Sequence, residues 1–217
     1  METIILTTKD GINIAGDYYA GSSFRGILLL HMMPETRGSW KTFAEELAIE
    51  GYKVLSIDLR GHGDSTTGSM GKLDYQQFSN EEHASSIHDV EASIEFLEKK
   101  GAHAIFIVGA SIGANLALWY AVDNPENVKG IALLSPGLDY KGIRSEANAI
   151  KLSSKIRVML YSGGDQEDEY SKNTVQRLKK ILKVDDARLR IFEDAGHGTR
   201  IFDSHPEFMK ELMVWMQ

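Results

Sequence analysis

The feature that most constrains this chain is an alternation. Short apolar, β-branched-rich runs at residues 26–30, 54–57, 104–108, 130–134, 157–161 and 189–192 are separated by periodic segments of helical length at 40–49, 81–99, 112–122 and 174–182. Strand followed by helix, repeated, predicts parallel strands joined by right-handed crossover helices. The runs are continuous rather than alternating, which fits strands covered on both faces. The start of the chain differs. Residues 4–8 and 12–18 flank Lys9-Asp10-Gly11, and Asp-Gly between strand-like runs predicts a hairpin, so antiparallel strands precede the parallel sheet. The expected fold is therefore α/β, a mostly parallel central sheet flanked by helices behind an N-terminal antiparallel hairpin. At 217 residues, with no internal repeat, low-complexity tract or Pro/Gly/Ser-rich linker, the chain reads as a single domain over 1–217.

Composition removes several function classes. A net charge of −7 gives no electrostatic footprint for DNA or RNA, so no nucleic-acid partner is expected. The absence of cysteine excludes a disulfide framework, a thiolate metal site and a cysteine nucleophile. No basic stretch leads into an apolar core at the N-terminus, and no apolar run approaches the ~20 residues of a spanning helix. The expectation is a cytoplasmic protein without a membrane partner, of unknown oligomeric state. His83 and His88 stand five apart on one expected helix, about 140° around its axis, too far round to share a metal easily. No H-E-x-x-H, phosphate-binding loop or dinucleotide fingerprint occurs, so no metal and no cofactor is expected.

The chemistry concentrates at Gly109-Ala110-Ser111-Ile112-Gly113, directly after one strand run and directly before a helix run. A nucleophile elbow needs that order: a strand, a turn tight enough to demand small flanking residues, then a helix whose first amides face the nucleophile. Ser111 sits at the apex. A serine hydroxyl needs a base, and the base needs a carboxylate to hold it; in the strand–elbow–helix arrangement these follow in the order Ser, acid, His. Only His197 and His205 lie beyond Ser111. His197, in Ala195-Gly196-His197-Gly198 after the last strand run, is the expected base, and His205, beside Pro206 at the start of the last helix, reads as a surface or capping residue. The acid is sought after the run at 157–161, where Asp165, Glu167, Asp168 and Glu169 stand. Asp168 is favoured for its position ahead of Ser171, a candidate N-cap, and Asp165 is the alternative. The oxyanion donors are expected to be the amide of Ile112 and that of Met33, with Met32 as the alternative, in the loop after an early strand. His31 reads as a buried imidazole supporting that loop. Leu138, Tyr140, Ile143, Met33 and Trp40 could line a pocket or simply pack.

With these residues in place, the chain resembles the α/β-hydrolase fold serine hydrolases over nearly its whole length. Asp58-Leu59-Arg60-Gly61-His62-Gly63-Asp64-Ser65 is similar to the D-x-R-G-H-G-x-S string of the monoacylglycerol lipase, esterase and iminopeptidase-like branch. There the string is a structural turn, so the resemblance implies architecture, not catalysis, for Arg60, His62 and Ser65. His31-Met32-Met33-Pro34 stands where the family usually has H-G-x-P, a departure that bears on the oxyanion loop. The acidic loop also looks lengthened around Gly163 and Gly164. Larger relatives insert a lid after the strand matching 130–134, whereas here residues 135–155 leave room for one short helix, which implies an open cleft. The implied activity is hydrolysis of small carboxylic esters or thioesters through an acyl-enzyme. The alternatives are a non-catalytic ligand-binding module on the same fold, or thioesterase, lactonase, peptidase or perhydrolase chemistry on the same triad.

Overall fold

The computed structural model describes residues 1–69, 71–164 and 168–217. The chain opens with the hairpin of β1 (Glu2–Thr7) and β2 (Ile12–Tyr19), antiparallel around Gly11 at φ 79°. The alternating part runs through β3 (Arg25–Leu30), α1 (Lys41–Ile49) and β4 (Lys53–Ile57), then the short β5 (Thr67–Gly68) and β6 (Gly71–Lys72). Helices α2 (Asn80–Ala84) and α3 (Ile87–Lys99) lead to β7 (Ala104–Ala110), α4 (Ile112–Asp123) and β8 (Val128–Leu134). A small hairpin, β9 (Asp139–Tyr140) and β10 (Ile143–Arg144), and α5 (Ser145–Lys151) occupy the place of a lid. The chain closes with β11 (Arg157–Gly163), α6 (Glu169–Ile181), β12 (Ala187–Phe192), α7 (Ile201–Ser204) and α8 (Glu207–Trp215). The sheet order is β12-β11-β8-β7-β3-β4-β2, parallel from β12 to β4, with β2 antiparallel to β4 and β1 on β2.

The continuous apolar runs have the cause expected of them. Leu28, Leu30, Ile105, Ile107, Ile131, Leu133, Val158 and Leu160 face one core, together with α3, α4 and α6. Their neighbours Ile27, Leu29, Phe106, Val108, Ala132, Leu134, Met159 and Tyr161 face the other, with α1, α7 and α8. Both faces of every central strand are buried, so neither face can be polar. Helix α4 is hydrophobic nearly all round because it lies against β7, β8, α3 and α5 together.

Two boundaries differ from the sequence pattern. The segment 81–99 is two helices rather than one. Ser79 and Glu82 form a capping box that starts α2, and Ser85 Oγ donates back to Glu81 O at 2.9 Å, a bond that favours a bend. Helix α6 starts at Glu169, before the periodic stretch, because its first turn is polar. Ser171, expected at the N-cap, therefore lies inside α6, and Asp168 holds the N-cap position. Among the described residues no helix is long and apolar enough to cross a membrane.

Candidate active site

Ser111 occupies the β7–α4 turn at φ 55° and ψ −117°, a backbone conformation costing ~1–3 kcal/mol for a residue with a side chain. Hydrogen bonds on both sides hold it there. Its N–H donates to Leu134 O at 2.8 Å, and its carbonyl accepts from Ala114 and Asn115 at 3.0 and 3.2 Å. Both glycines of the motif are steric requirements. A Cβ on Gly109 would lie 2.2 Å from Gly113 O, and one on Gly113 would lie 2.5 Å from Leu30 O and 2.8 Å from His31 O. Helix α4 thereby presses its first turn against the loop that follows β3.

His197 follows β12 and is brought back over the sheet by Gly198. That glycine sits at φ 59°, where a Cβ would stand 2.6 Å from Met32 Sδ and 3.3 Å from the Cβ of Ala110, the residue before Ser111. His197 Nδ1 lies 2.6 Å from Asp168 Oδ1. Asp168 is fully buried, and its Oδ2 accepts from Gly163 N at 2.6 Å and from Ser135 Oγ at 2.7 Å. A carboxylate facing Nδ1 selects the Nδ1–H tautomer and leaves the Nε2 lone pair free to accept a proton. Asp165 and Glu167 lie outside the described residues, while Glu169 is the exposed first residue of α6. His205 is at the surface between Asp194 at 2.8 Å and Glu207 at 3.0 Å, which raise its pKa.

Ile112 opens α4 and Met33 lies in the loop after β3, the two segments expected to supply the oxyanion donors. The Ile112 N–H is in the first turn of α4, where helical amides have no intrahelical acceptor. Among the described residues no protein acceptor engages either amide. His31 is fully buried under this loop, with Nδ1 donating to Met32 O and Nε2 accepting from Leu59 N, both at 2.9 Å. Burial, followed by the charge of His62, lowers its pKa to about 3, so it is a neutral strut.

The Asp58–Ser65 string is a buried polar turn. Arg60 pairs with Asp89 at 2.8 Å and Asp10 at 2.7 Å, Ser65 Oγ donates to Asp58 O at 2.7 Å, and Arg37 pairs with Asp58 and Asp64. Among the described residues, none of these bonds reaches Ser111, Asp168 or His197. His83 is on α2 and His88 on α3, so the single-helix spacing expected for them does not apply. Among the described residues, no cluster of three or more His, Asp or Glu side chains is arranged to hold a metal.

Two residues of the site make contacts that the sequence does not specify. Ser135 is fully buried at φ 50°, donates its N–H to Tyr161 O at 2.8 Å, and its Oγ accepts from Gly198 N at 2.9 Å while donating to Asp168. It ties together the loops that follow β8, β11 and β12. Its only hint in the sequence is its place just beyond a strand end, where α/β proteins keep their chemistry. Tyr140 is the other. Asn115 anchors the preceding loop, its Nδ2 donating to Gly137 O at 2.9 Å and to Ile143 O at 2.7 Å. The Tyr140 ring packs on Gly137, where a Cβ would be 2.7 Å from it, and its hydroxyl lies near Ser171 and Ser111. Burial raises the Tyr140 pKa. Ser111 itself is 6 % exposed. Trp40 and Ile143 belong to the core and do not line a pocket.

Comparison with known proteins places this geometry in context. The model of the α/β hydrolase fold family matches residues 27–176. Bifunctional epoxide hydrolase 2 of Rattus norvegicus is 27% identical over 186 residues, 83% of this chain and 31% of that protein. Epoxide hydrolase 3 of Siraitia grosvenorii is 30% identical over 109 residues, 50% of this chain and 31% of its own length. The chain spans half or less of the length of the curated relatives it matches. Among solved structures, an esterase of Pyrococcus furiosus superposes with a TM-score of 0.78 at 18% identity, covering 99% of this chain and 88% of that one. The esterase of Exiguobacterium antarcticum gives 0.77 at 14% identity and covers 99% of both chains. At those identities the likeness is one of fold.

Proposed function

This chain belongs to the α/β hydrolase fold family, and from that premise we propose that it is a serine hydrolase of small carboxylic esters or thioesters. Ser111 Oγ attacks the acyl carbonyl as His197 Nε2 takes its proton, with Asp168 orienting the ring. The amides of Ile112 and Met33 donate to the oxyanion as preorganised dipoles. The protonated imidazole then gives its proton to the departing alcohol or thiol, leaving an acyl-Ser111 ester. A water molecule, deprotonated by His197, hydrolyses that ester and restores the serine.

The observation that carries this reading is the 2.6 Å contact between His197 Nδ1 and the buried Asp168, on loops packed beside a strained Ser111. A ligand-binding module would have no need to maintain the strain at Ser111 or to fix the imidazole tautomer. The short β9–β10 hairpin and α5 stand where larger relatives insert a lid, which favours soluble substrates. The test is hydrolysis of p-nitrophenyl esters of increasing acyl length by the wild type and by Ser111→Ala. Turnover of the short esters that disappears in the variant is expected. Turnover that survives in Ser111→Ala would refute the assignment, and faster turnover of emulsified long-chain esters would refute the substrate class.

A further inference from the structure

A cavity of about 420 Å³ adjoins the loop proposed to donate to the oxyanion, lined by Met33, Pro34, Tyr75, Gln76, His83 and Lys141. No lining residue is acidic. Lys141 and Gly142 are the central residues of the β9–β10 turn, at φ 54° and 84°. Such turns ordinarily carry Asn-Gly or Asp-Gly, because a side chain in the left-handed region is strained. Turn chemistry therefore gives no reason for a lysine there. The turn itself is well fixed: Asp139 Oδ1 accepts from Gly142 N at 2.8 Å, and a Cβ on Gly142 would come within 3.3 Å of Asn80 on α2.

Lys141 brings a positive charge to this cavity. Among the described residues it forms no ion pair, whereas Arg144, the other cation of the hairpin, pairs with Asp139 at 3.3 Å. Two nearby carboxylates are engaged within their own segments. Glu82 completes the capping box with Ser79, and Asp74 accepts from Gln76 N and Gln77 Nε2. His83 is held below its ordinary pKa by burial and then by the charge of Lys141, so it contributes hydrogen bonding but no charge. Among the described residues the cavity thus has one cation, an amide, an imidazole and a phenol, and it shares Met33 with the loop proposed to hold the oxyanion.

We propose that Lys141 is a specificity-determining residue that binds a carboxylate on the substrate, so that the preferred substrates are acid-tailed esters. The carboxylate can belong to the acyl part, as in a half-ester of a dicarboxylic acid, or to the alcohol part, as in a carboxyphenyl ester. The inference rests on the serine hydrolase reading above. Its test is kcat and KM for two matched pairs, methyl hydrogen adipate against dimethyl adipate, and 3-acetoxybenzoate against 3-acetoxybenzamide. Wild type, Lys141→Gln, Lys141→Arg and Ser111→Ala are compared. The wild type is expected to favour the acid in at least one pair, and that pair identifies the end of the ester that carries it. Lys141→Gln then lowers kcat/KM for that acid about two- to fivefold, mainly through KM, and leaves the neutral partner unchanged. Lys141→Arg retains the preference, and added salt weakens it. Turnover without preference for the acid in either pair, or an equal effect of Lys141→Gln on acid and neutral esters, would overturn the inference alone. Absence of Ser111-dependent turnover of all four compounds would overturn the hydrolase reading and this inference with it.

Discussion

Replacing Asp168 by Asn tests the geometry of the site without changing its shape. Among the described residues, Asp168 Oδ2 accepts from Gly163 N at 2.6 Å and from Ser135 Oγ at 2.7 Å. Ser135 cannot easily reverse its role, because its oxygen already accepts from Gly198 N at 2.9 Å. An asparagine must therefore keep its carbonyl oxygen at the Oδ2 position and turn its NH2 toward His197 Nδ1, now 2.6 Å away. Nδ1 must then accept, which places the ring proton on Nε2. An imidazole in that tautomer cannot take the serine proton. The inverted tautomer in a serine protease triad costs about 10⁴ in kcat, so a loss of about 10³–10⁴ is expected here, or about 4–5.5 kcal/mol of barrier. The assay is the initial rate on p-nitrophenyl acetate at neutral pH, with circular dichroism to verify the fold. A variant within tenfold of wild type would refute the reasoning, most directly if Asp165→Asn carried the loss instead.

Three further outcomes follow from the same contacts. Ser135→Ala removes a hydrogen bond to a carboxylate and orphans the Gly198 N–H, so chemical denaturation should register a loss of about 2–4 kcal/mol, with kcat falling further than KM rises. Unchanged stability and kcat would contradict the bridging role. Gly113→Ala places a Cβ 2.5 Å from Leu30 O, a backbone atom that cannot move alone, and should lower the melting temperature and abolish turnover together; wild-type behaviour would show that the elbow tolerates a wider approach. His31 has its folded pKa lowered to about 3 by burial, against 6.5 in the unfolded chain. Between those values the unfolded state binds a proton that the native state does not, so stability is full above pH 6.5 and falls as pH drops toward 3. Urea denaturation at pH 7.5 and 4.5 should show that fall in the wild type and a smaller one in His31→Asn; equal falls would place the acid sensitivity elsewhere.

Much of this architecture is legible in the sequence because the physics is local. Strands β3, β7, β8 and β11 announce themselves as unbroken apolar runs, since each is covered on both faces. The elbow is legible because Gly109 and Gly113 answer a steric need that falls within five residues of chain. The unreadable parts depend on contacts between distant segments. Ser135 gains its place in the site from Gly198, Tyr161 and Asp168, none near it in sequence. Tyr140 looks like a packing residue until the hairpin lays its hydroxyl against Ser111. The split between α2 and α3 escapes a periodicity argument because the apolar positions continue in register across Ser85 and Ser86, while a side-chain bond to Glu81 ends the first helix.

The central claim is that Ser111 is an activated nucleophile, and the most direct measurement is intact mass after exposure to a fluorophosphonate, followed by peptide mapping. The account predicts one adduct per chain, located on Ser111, absent from Ser111→Ala and formed far more slowly in Asp168→Asn. A folded wild-type protein that stays unmodified, or that is modified equally well in Ser111→Ala, would contradict it.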